Sequence, residues 1–156
     1  MEMIRRSVCN FFTIKLQGMT LIELLVVVSI VGILASIVYP NYQRHILKTH
    51  RSAVVSDLLK IQLKLEHERS NTGSYDYSII NNSTGRCEDG LFCQANPERY
   101  KFEIISGGSG VNFYQIKAIP QTALNQDQDK CGTLILNTAS IGRAEKGGKE
   151  VEGCWP

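Results

Sequence analysis

Between Met19 and Val38 the chain carries a single ionisable side chain, Glu23, in a run that reads MTLIELLVVVSIVGILASIV. A carboxylate costs ~2.5–3.5 kcal/mol at the centre of a membrane helix and less near an end, so its presence asks for a partner or an interface. The other chemistry-bearing residues are sparse. Cys9 lies near the start, and Cys87, Cys93, Cys131 and Cys154 lie further on. Four cysteines in a small domain behind an apolar segment read as two disulfides made in an oxidising compartment, with three connectivities open. Pairing Cys87 with Cys93 and Cys131 with Cys154 is favoured, because each pair brackets a loop rich in glycine and polar residues. A zinc site would ask for C-x-x-C spacing, which is absent. His45, His50 and His67 are scattered, and LEHERS around His67 is not the H-E-x-x-H of a metalloprotease. No P-loop, nucleophile elbow or dinucleotide-binding glycine pattern occurs. The sequence predicts no enzyme, no metal and no cofactor.

The element that must hold Glu23 is 20 residues long, ~30 Å as a helix, which is enough to span a bilayer's hydrocarbon core. A cleavable secretory signal would place small residues just after the run, and ILASIVYP offers no such site. The small residue in a cleavable position, Gly18, lies before the run instead. Ahead of it Arg5, Arg6 and Lys15 face one acid, Glu2, a balance that favours the cytoplasmic side. Arg44, Lys48 and Arg51 flank the other end in equal number. The formal charge of +2 comes from that leader: without residues 1–18 the chain holds 14 basic and 14 acidic side chains. Overall charge therefore gives no strong attraction to nucleic acid.

After Pro40 the pattern turns amphipathic. Leu47, Val54, Leu58, Ile61 and Leu65 share one helix face, and Lys48, Arg51, Lys60, Lys64, Glu66 and Glu68 are expected mostly off it. Thr20 to Ser70 reads as one long helix ending at the NTG of residues 71–73, with Gly32 and Pro40 marking a segment expected to bend or unwind. Residues 71–98 read as a long loop. YKFEIIS from Tyr100 and NFYQIKAIP from Asn112, joined through GGSG, read as a hairpin. GTLILNT from Gly132 and IGRAE from Ile141 read as a second, with Leu134 and Leu136 on the buried face. The predicted class is α+β, a long helix packed on an antiparallel sheet of three to four strands.

A basic leader ending in Gly18, followed by MTLIELLVVVSIVGILASIVYPNY, resembles the N-terminus of a type IV pilin. CGTLILN followed by a glycine-containing turn, basic residues and a terminal CWP, with D-x-D-K-C-G before it, resembles the type IVa, PilE-like minor pilins. The resemblance implies a leader at 1–18, a transmembrane and assembly helix at 19–39 and a periplasmic or extracellular head at 40–156. Within the head it implies an amphipathic helix at 41–70, a loop at 71–98, and a sheet with a C-terminal disulfide region at 99–156. It implies cleavage by a prepilin peptidase between Gly18 and Met19, although Met19 stands where the family usually has phenylalanine. It also implies methylation of the new amino group on Met19. Glu23 becomes the fifth mature residue and, with Met19 and Thr20, pairs with a neighbouring subunit, the new α-amino cation offsetting the buried charge. Gly32 and Pro40 take the family's helix-weakening positions. The implied partners are other pilin subunits, the peptidase and the inner-membrane assembly machinery. The chain would sit in the inner membrane as a prepilin and then in an extracellular filament supporting assembly, twitching motility, adhesion or DNA uptake.

Two other functions compete with a purely structural subunit. Some similar minor pilins are DNA receptors in natural transformation. Here Arg143, Lys146 and Lys149, with Arg86 and Lys130, are candidate phosphate contacts, and Trp155 and Tyr100 candidate stacking residues. Glu88, Asp127, Asp129, Glu145, Glu150 and Glu152 are interleaved with those cations. A pseudopilin of a type II secretion system shares the processing site, but commonly lacks paired cysteines near its C-terminus.

Overall fold

A computed structural model describes residues 18–88, 92–107 and 113–155. Residues 1–17, nearly all of the expected leader, and residues 108–112, which hold most of the GGSG connection, lie outside the described residues. One helix, α1, runs Leu21–Thr72. It starts where Thr20 and Glu23 close a capping box. The Glu23 N–H donates to the Thr20 hydroxyl at 3.3 Å, while Glu23 Oε2 accepts from the Thr20 N–H and hydroxyl, each at 2.8 Å. That satisfies donors a helix start otherwise leaves open. The expected unwinding between Gly32 and Pro40 is absent, for α1 stays helical through Pro40. Proline removes one backbone bond from a helix of 52 residues, and that loss alone does not end it.

Residues 40–155 form a compact unit of their own. Its centre is an antiparallel sheet in chain order: β3 (Tyr100–Ser106), β4 (Tyr114–Pro120), β5 (Thr133–Asn137), β6 (Gly142–Lys146) and β7 (Lys149–Glu150). Five strands replace the expected three to four. The fifth follows from Gly147 and Gly148, both at positive φ, 60° and 75°. Two such residues in a row make the tight two-residue turn that suits strand twist, and they pair Lys146 with Lys149. The stretch expected as a plain loop contains a short hairpin, β1 (Ile80–Asn81) with β2 (Arg86–Cys87). The Gly85 carbonyl beside it accepts from the Phe102 N–H at 2.8 Å, which covers part of the sheet's β3 edge. Cys87 is bonded to Cys93, and Cys131 to Cys154.

Val54, Leu58, Ile61 and Leu65 of α1 bury against Tyr100, Phe102, Tyr114, Ile116, Leu134, Leu136 and Ala144 on the sheet's inner face. Ile135 points the other way, yet it is only 2% exposed, so the alternation in β5 does not separate a buried face from a wet one. Its cross-strand neighbours Lys117 and Arg143 flank it, placing their long aliphatic stems to cover it.

Four polar side chains of α1 tie the helix to the chain around it. Arg51 was expected off the apolar stripe but is buried, its guanidinium on the Asp129 carboxylate just before β5. The physical reason is angular: Arg51 is seven residues before Leu58, two turns along the same face. Asp57 is fully buried and accepts from the N–H groups of Gln94 (2.8 Å) and Ala95 (2.7 Å) and from Lys60 (3.0 Å). Gln62 donates to the carbonyls of Asn137 and Thr138 in the β5–β6 turn. Glu66 accepts from the hydroxyls of Tyr114 (2.7 Å) and Tyr75 (3.1 Å).

Removing one partner of the buried Arg51–Asp129 pair strands the other without water. Asp129→Ala is expected to cost about 3–5 kcal/mol, while the double change Arg51→Met with Asp129→Leu recovers most of the loss. Urea unfolding of the detergent-solubilised chain, followed by Trp155 fluorescence, measures both. Gly142 generates a second expectation, because a Cβ there would lie 2.3 Å from Cδ2 of the Trp155 ring. Gly142→Ala is expected to cost about 1–3 kcal/mol and to shift Trp155 emission to the red as the ring is pushed outward. Trp155 is the chain's one tryptophan, so the shift has a single source.

Candidate functional site

Two sets of residues carry chemistry, one at the start of α1 and one on the head. At the helix start, every described residue from Gly18 to His45 is exposed in the single chain. Met19 is 64% exposed and Leu21 75%. Among the described residues α1 holds the one stretch long and apolar enough to cross a membrane. Apolar side chains in that number, uncovered by the protein itself, require lipid or other chains around them. The structure places Gly18, Met19, Thr20 and Glu23 together at the tip of this stretch. The one carboxylate there already takes part in the capping box with Thr20.

On the head, the candidate cations divide. The Lys146 ammonium donates to the backbone carbonyls of Asp129 (2.6 Å) and Asp127 (3.1 Å), which brings it beside exposed Lys130. Lys149 lies directly opposite Lys146 across the glycine turn. Lys130, Lys146 and Lys149 therefore share one edge, next to the Cys131–Cys154 bridge. Arg143 belongs elsewhere. It alternates with buried Ala144, so it lies on the outer sheet face, 3.5 Å from Gln115 Oε1. Arg86 is exposed on the separate β1–β2 hairpin. The expected single basic surface of Arg143, Lys146 and Lys149 is thus corrected to a lysine edge plus a separate arginine. The strand period of two is the cause, since neighbours along a strand face opposite ways.

Tyr100 is not available for stacking. It is 1% exposed, and its hydroxyl meets the Gln126 side-chain amide at 3.0 Å. Burial, and then the nearby Asp129 carboxylate, push its pKa up to about 12. Trp155 is half-buried and packs over Gly142.

Sequence reasoning gave no role to Asp57 or Gln126 and counted Asp129 only among the interleaved acids; Asp57 holds the segment after Cys93, while Gln126 and Asp129 order the head around the lysine edge. Gln126 is fully buried and donates to the Leu47 carbonyl at 3.1 Å while accepting from Arg99. Asp129 also accepts from the Cys131 N–H at 3.1 Å, fixing the approach to the disulfide. The signal that existed was angular: Asp57 lies three residues after Val54 and four before Ile61, inside the buried arc.

Known proteins match both the apolar segment and the head of the chain. Residues 15–39 match the prokaryotic N-terminal methylation motif. Residues 40–135 match the family described as "Type IV minor pilin ComP, DNA uptake sequence receptor". The chain is 29% identical to a fimbrial protein of Moraxella nonliquefaciens over 142 residues, 80% of this chain and 86% of that one. It is 32% identical to a probable minor fimbrial protein of Dichelobacter nodosus over 95 residues, 61% of this chain and about half (52%) of that one. A type II secretion system core protein G of Klebsiella pneumoniae is 39% identical over 59 residues, 38% of this chain and 42% of that one. The family match spans most of the head and the methylation motif covers the apolar segment before it; the chain belongs to the ComP family of type IV minor pilins.

Proposed function

We propose that the chain is made as an inner-membrane prepilin and cut by a prepilin peptidase between Gly18 and Met19. It is then methylated on the Met19 amino group and built among other pilin subunits into a surface filament. The observation that carries this reading is the uncovered apolar run of α1 with a carboxylate held at its tip. Such a helix is soluble in lipid before assembly and buries the same surface against neighbouring helices afterwards. Glu23 pairs with an amino group there, and Gly32 and Pro40 supply the points at which the helix loosens under tension. The role is mechanical rather than catalytic. The secretion-system alternative is less favoured, since its similarity covers 38% of the chain whereas the ComP match extends over the head.

Mass spectrometry of sheared filaments is expected to find a peptide beginning at Met19 with one extra methyl group. An uncleaved leader on well-expressed chain overturns the reading. Glu23→Val is expected to lower the amount of this subunit in filaments by roughly tenfold or more. That is the scale of losing one hydrogen bond to a charged group, ~1.5–3 kcal/mol.

A second reading, that the head binds duplex DNA, is favoured by the ComP description over residues 40–135 and by the lysine edge. Lys130 and Lys149 are the contacts to test, because Lys146 already holds backbone carbonyls. Lys149→Ala is expected to weaken DNA retention evenly across sequences and to reduce the salt slope by roughly one. Arg143→Ala, on the other face, is expected to do less. Retention that ignores both salt and the lysine changes rejects this edge as the contact.

A further inference from the structure

One groove of the head brings together hydrogen-bond donors that the chain itself leaves unused. It has a volume of about 370 Å³ and is lined by Lys48, Arg51, Ser52 and Val55 of α1 and by Cys154 and Trp155 near the C-terminus. Among the described residues no carboxylate lies in its wall. Each donor can be followed in turn. Ser52 has spent its hydroxyl on the Lys48 carbonyl at 3.1 Å. Arg51 engages Asp129 through one nitrogen of its guanidinium, Nη1. Lys48 is exposed, and its ammonium has neither a hydrogen bond nor an ion pair among the described residues. Trp155 Nε1 is buried and has no acceptor, the one buried side-chain nitrogen or oxygen among the described residues in that state.

A buried N–H without an acceptor is costly, and nearly all such groups in folded proteins are paired. Packing explains where the Trp155 ring sits but not why its nitrogen goes unpaired. The ring rests on Gly142, where a Cβ would stand 2.6 Å from Cε2, so the missing side chain gives it an apolar seat. The backbone beside it is tied down, since Cys154 is bonded to Cys131. What remains able to turn is the side chain about its own torsions, and rotamer changes of this kind commonly accompany binding. Such a turn carries the indole N–H to the groove whose wall the ring already forms.

We propose that this groove is a seat for a phosphate group, held by the Lys48 ammonium, the Arg51 N–H groups that Asp129 does not use and the turned Trp155 indole N–H. The donors come from two positions on α1 and from the C-terminal segment, so they meet the ligand from more than one side. A tetrahedral phosphate presents oxygens in several directions, whereas a carboxylate presents two in one plane. Lys48 and Arg51 against the single carboxylate of Asp129 leave one positive charge to be balanced. Glu152, the nearest acid along the chain, is exposed and lies outside the wall. The seat shares no residue with the edge of Lys130, Lys146 and Lys149 and does not rest on the DNA reading. Its phosphate has two sources, a small soluble phosphate or the backbone of a nucleic acid, and the titration below separates them.

The test uses the full chain in uncharged maltoside micelles, with the indole nitrogen isotope-labelled. Trp155 is the chain's one tryptophan, so a proton–nitrogen NMR spectrum holds a single indole signal. Inorganic phosphate is expected to move that signal along a saturating curve and to shift Trp155 fluorescence in step, while sodium chloride of equal ionic strength moves neither. Lys48→Ala is expected to weaken the curve by roughly tenfold, the scale of one hydrogen bond to a charged group. Lys149→Ala is expected to leave it unchanged, so that failure of the DNA reading and failure of this seat give different results. A short DNA duplex that moves the signal where inorganic phosphate and glycerol phosphate do not upholds the seat and assigns its phosphate to nucleic acid. No saturating movement with any of the three, on chain whose spectrum is that of the folded protein, overturns the proposal. A movement that chloride reproduces, or that Lys48→Ala leaves intact, overturns it as well.

Discussion

The head is organised around a guanidinium and a carboxylate held together out of water. Arg51 and Asp129 are separated by 78 residues in sequence, and neither tolerates burial alone. Once they meet, α1 is fixed against the segment that leads into β5. Asp129 then orients the Cys131 N–H, and its carbonyl receives the Lys146 ammonium. Gln126 fills the space beneath, bonded to the Leu47 carbonyl on one side and Tyr100 on the other. The lysine edge and the C-terminal bridge are positioned by this arrangement. Compared with an apolar pair of the same size it adds little net stability, while loss of either partner leaves the other buried and unpaired.

The same logic repeats along α1. Arg51, Asp57, Gln62 and Glu66 each reach a different part of the head: the approach to β5, the segment after Cys93, the β5–β6 turn and the tyrosine pair Tyr75–Tyr114. The apolar stripe supplies most of the driving force, while these four side chains specify which loop goes where. A single helix thus serves two purposes along its length. Its first part is uncovered hydrocarbon with one carboxylate at the tip, and its later part is a row of polar anchors.

Glu23 was legible in the sequence because a charge in an apolar run stands out against every neighbour. The strand Tyr100–Ser106 and the stripe Val54–Leu58–Ile61–Leu65 were legible because each period matched one geometry. Arg51 was misplaced, and Asp57 passed over, for the opposite reason. Their chemical type suggested water, whereas their helical phase put them inside, and phase prevailed because each found a partner. Those partners lie 78 and 37 residues away, and local pattern contains no information about them. β7 was hidden by its length of two residues, too short to show alternation, so Gly147–Gly148 was the only signal. The lysine and arginine candidates were grouped by proximity in sequence, which a strand divides between two faces.

One detail at the start of α1 bears on how a pilin can change surroundings without losing its shape. Both bonds from Thr20 fall on the same oxygen of Glu23, Oε2. Among the described residues the second oxygen has no donor. In the assembly proposed above, a newcomer need not evict Thr20 or fray the first turn, and pairing becomes an addition of one bond rather than an exchange of one for another.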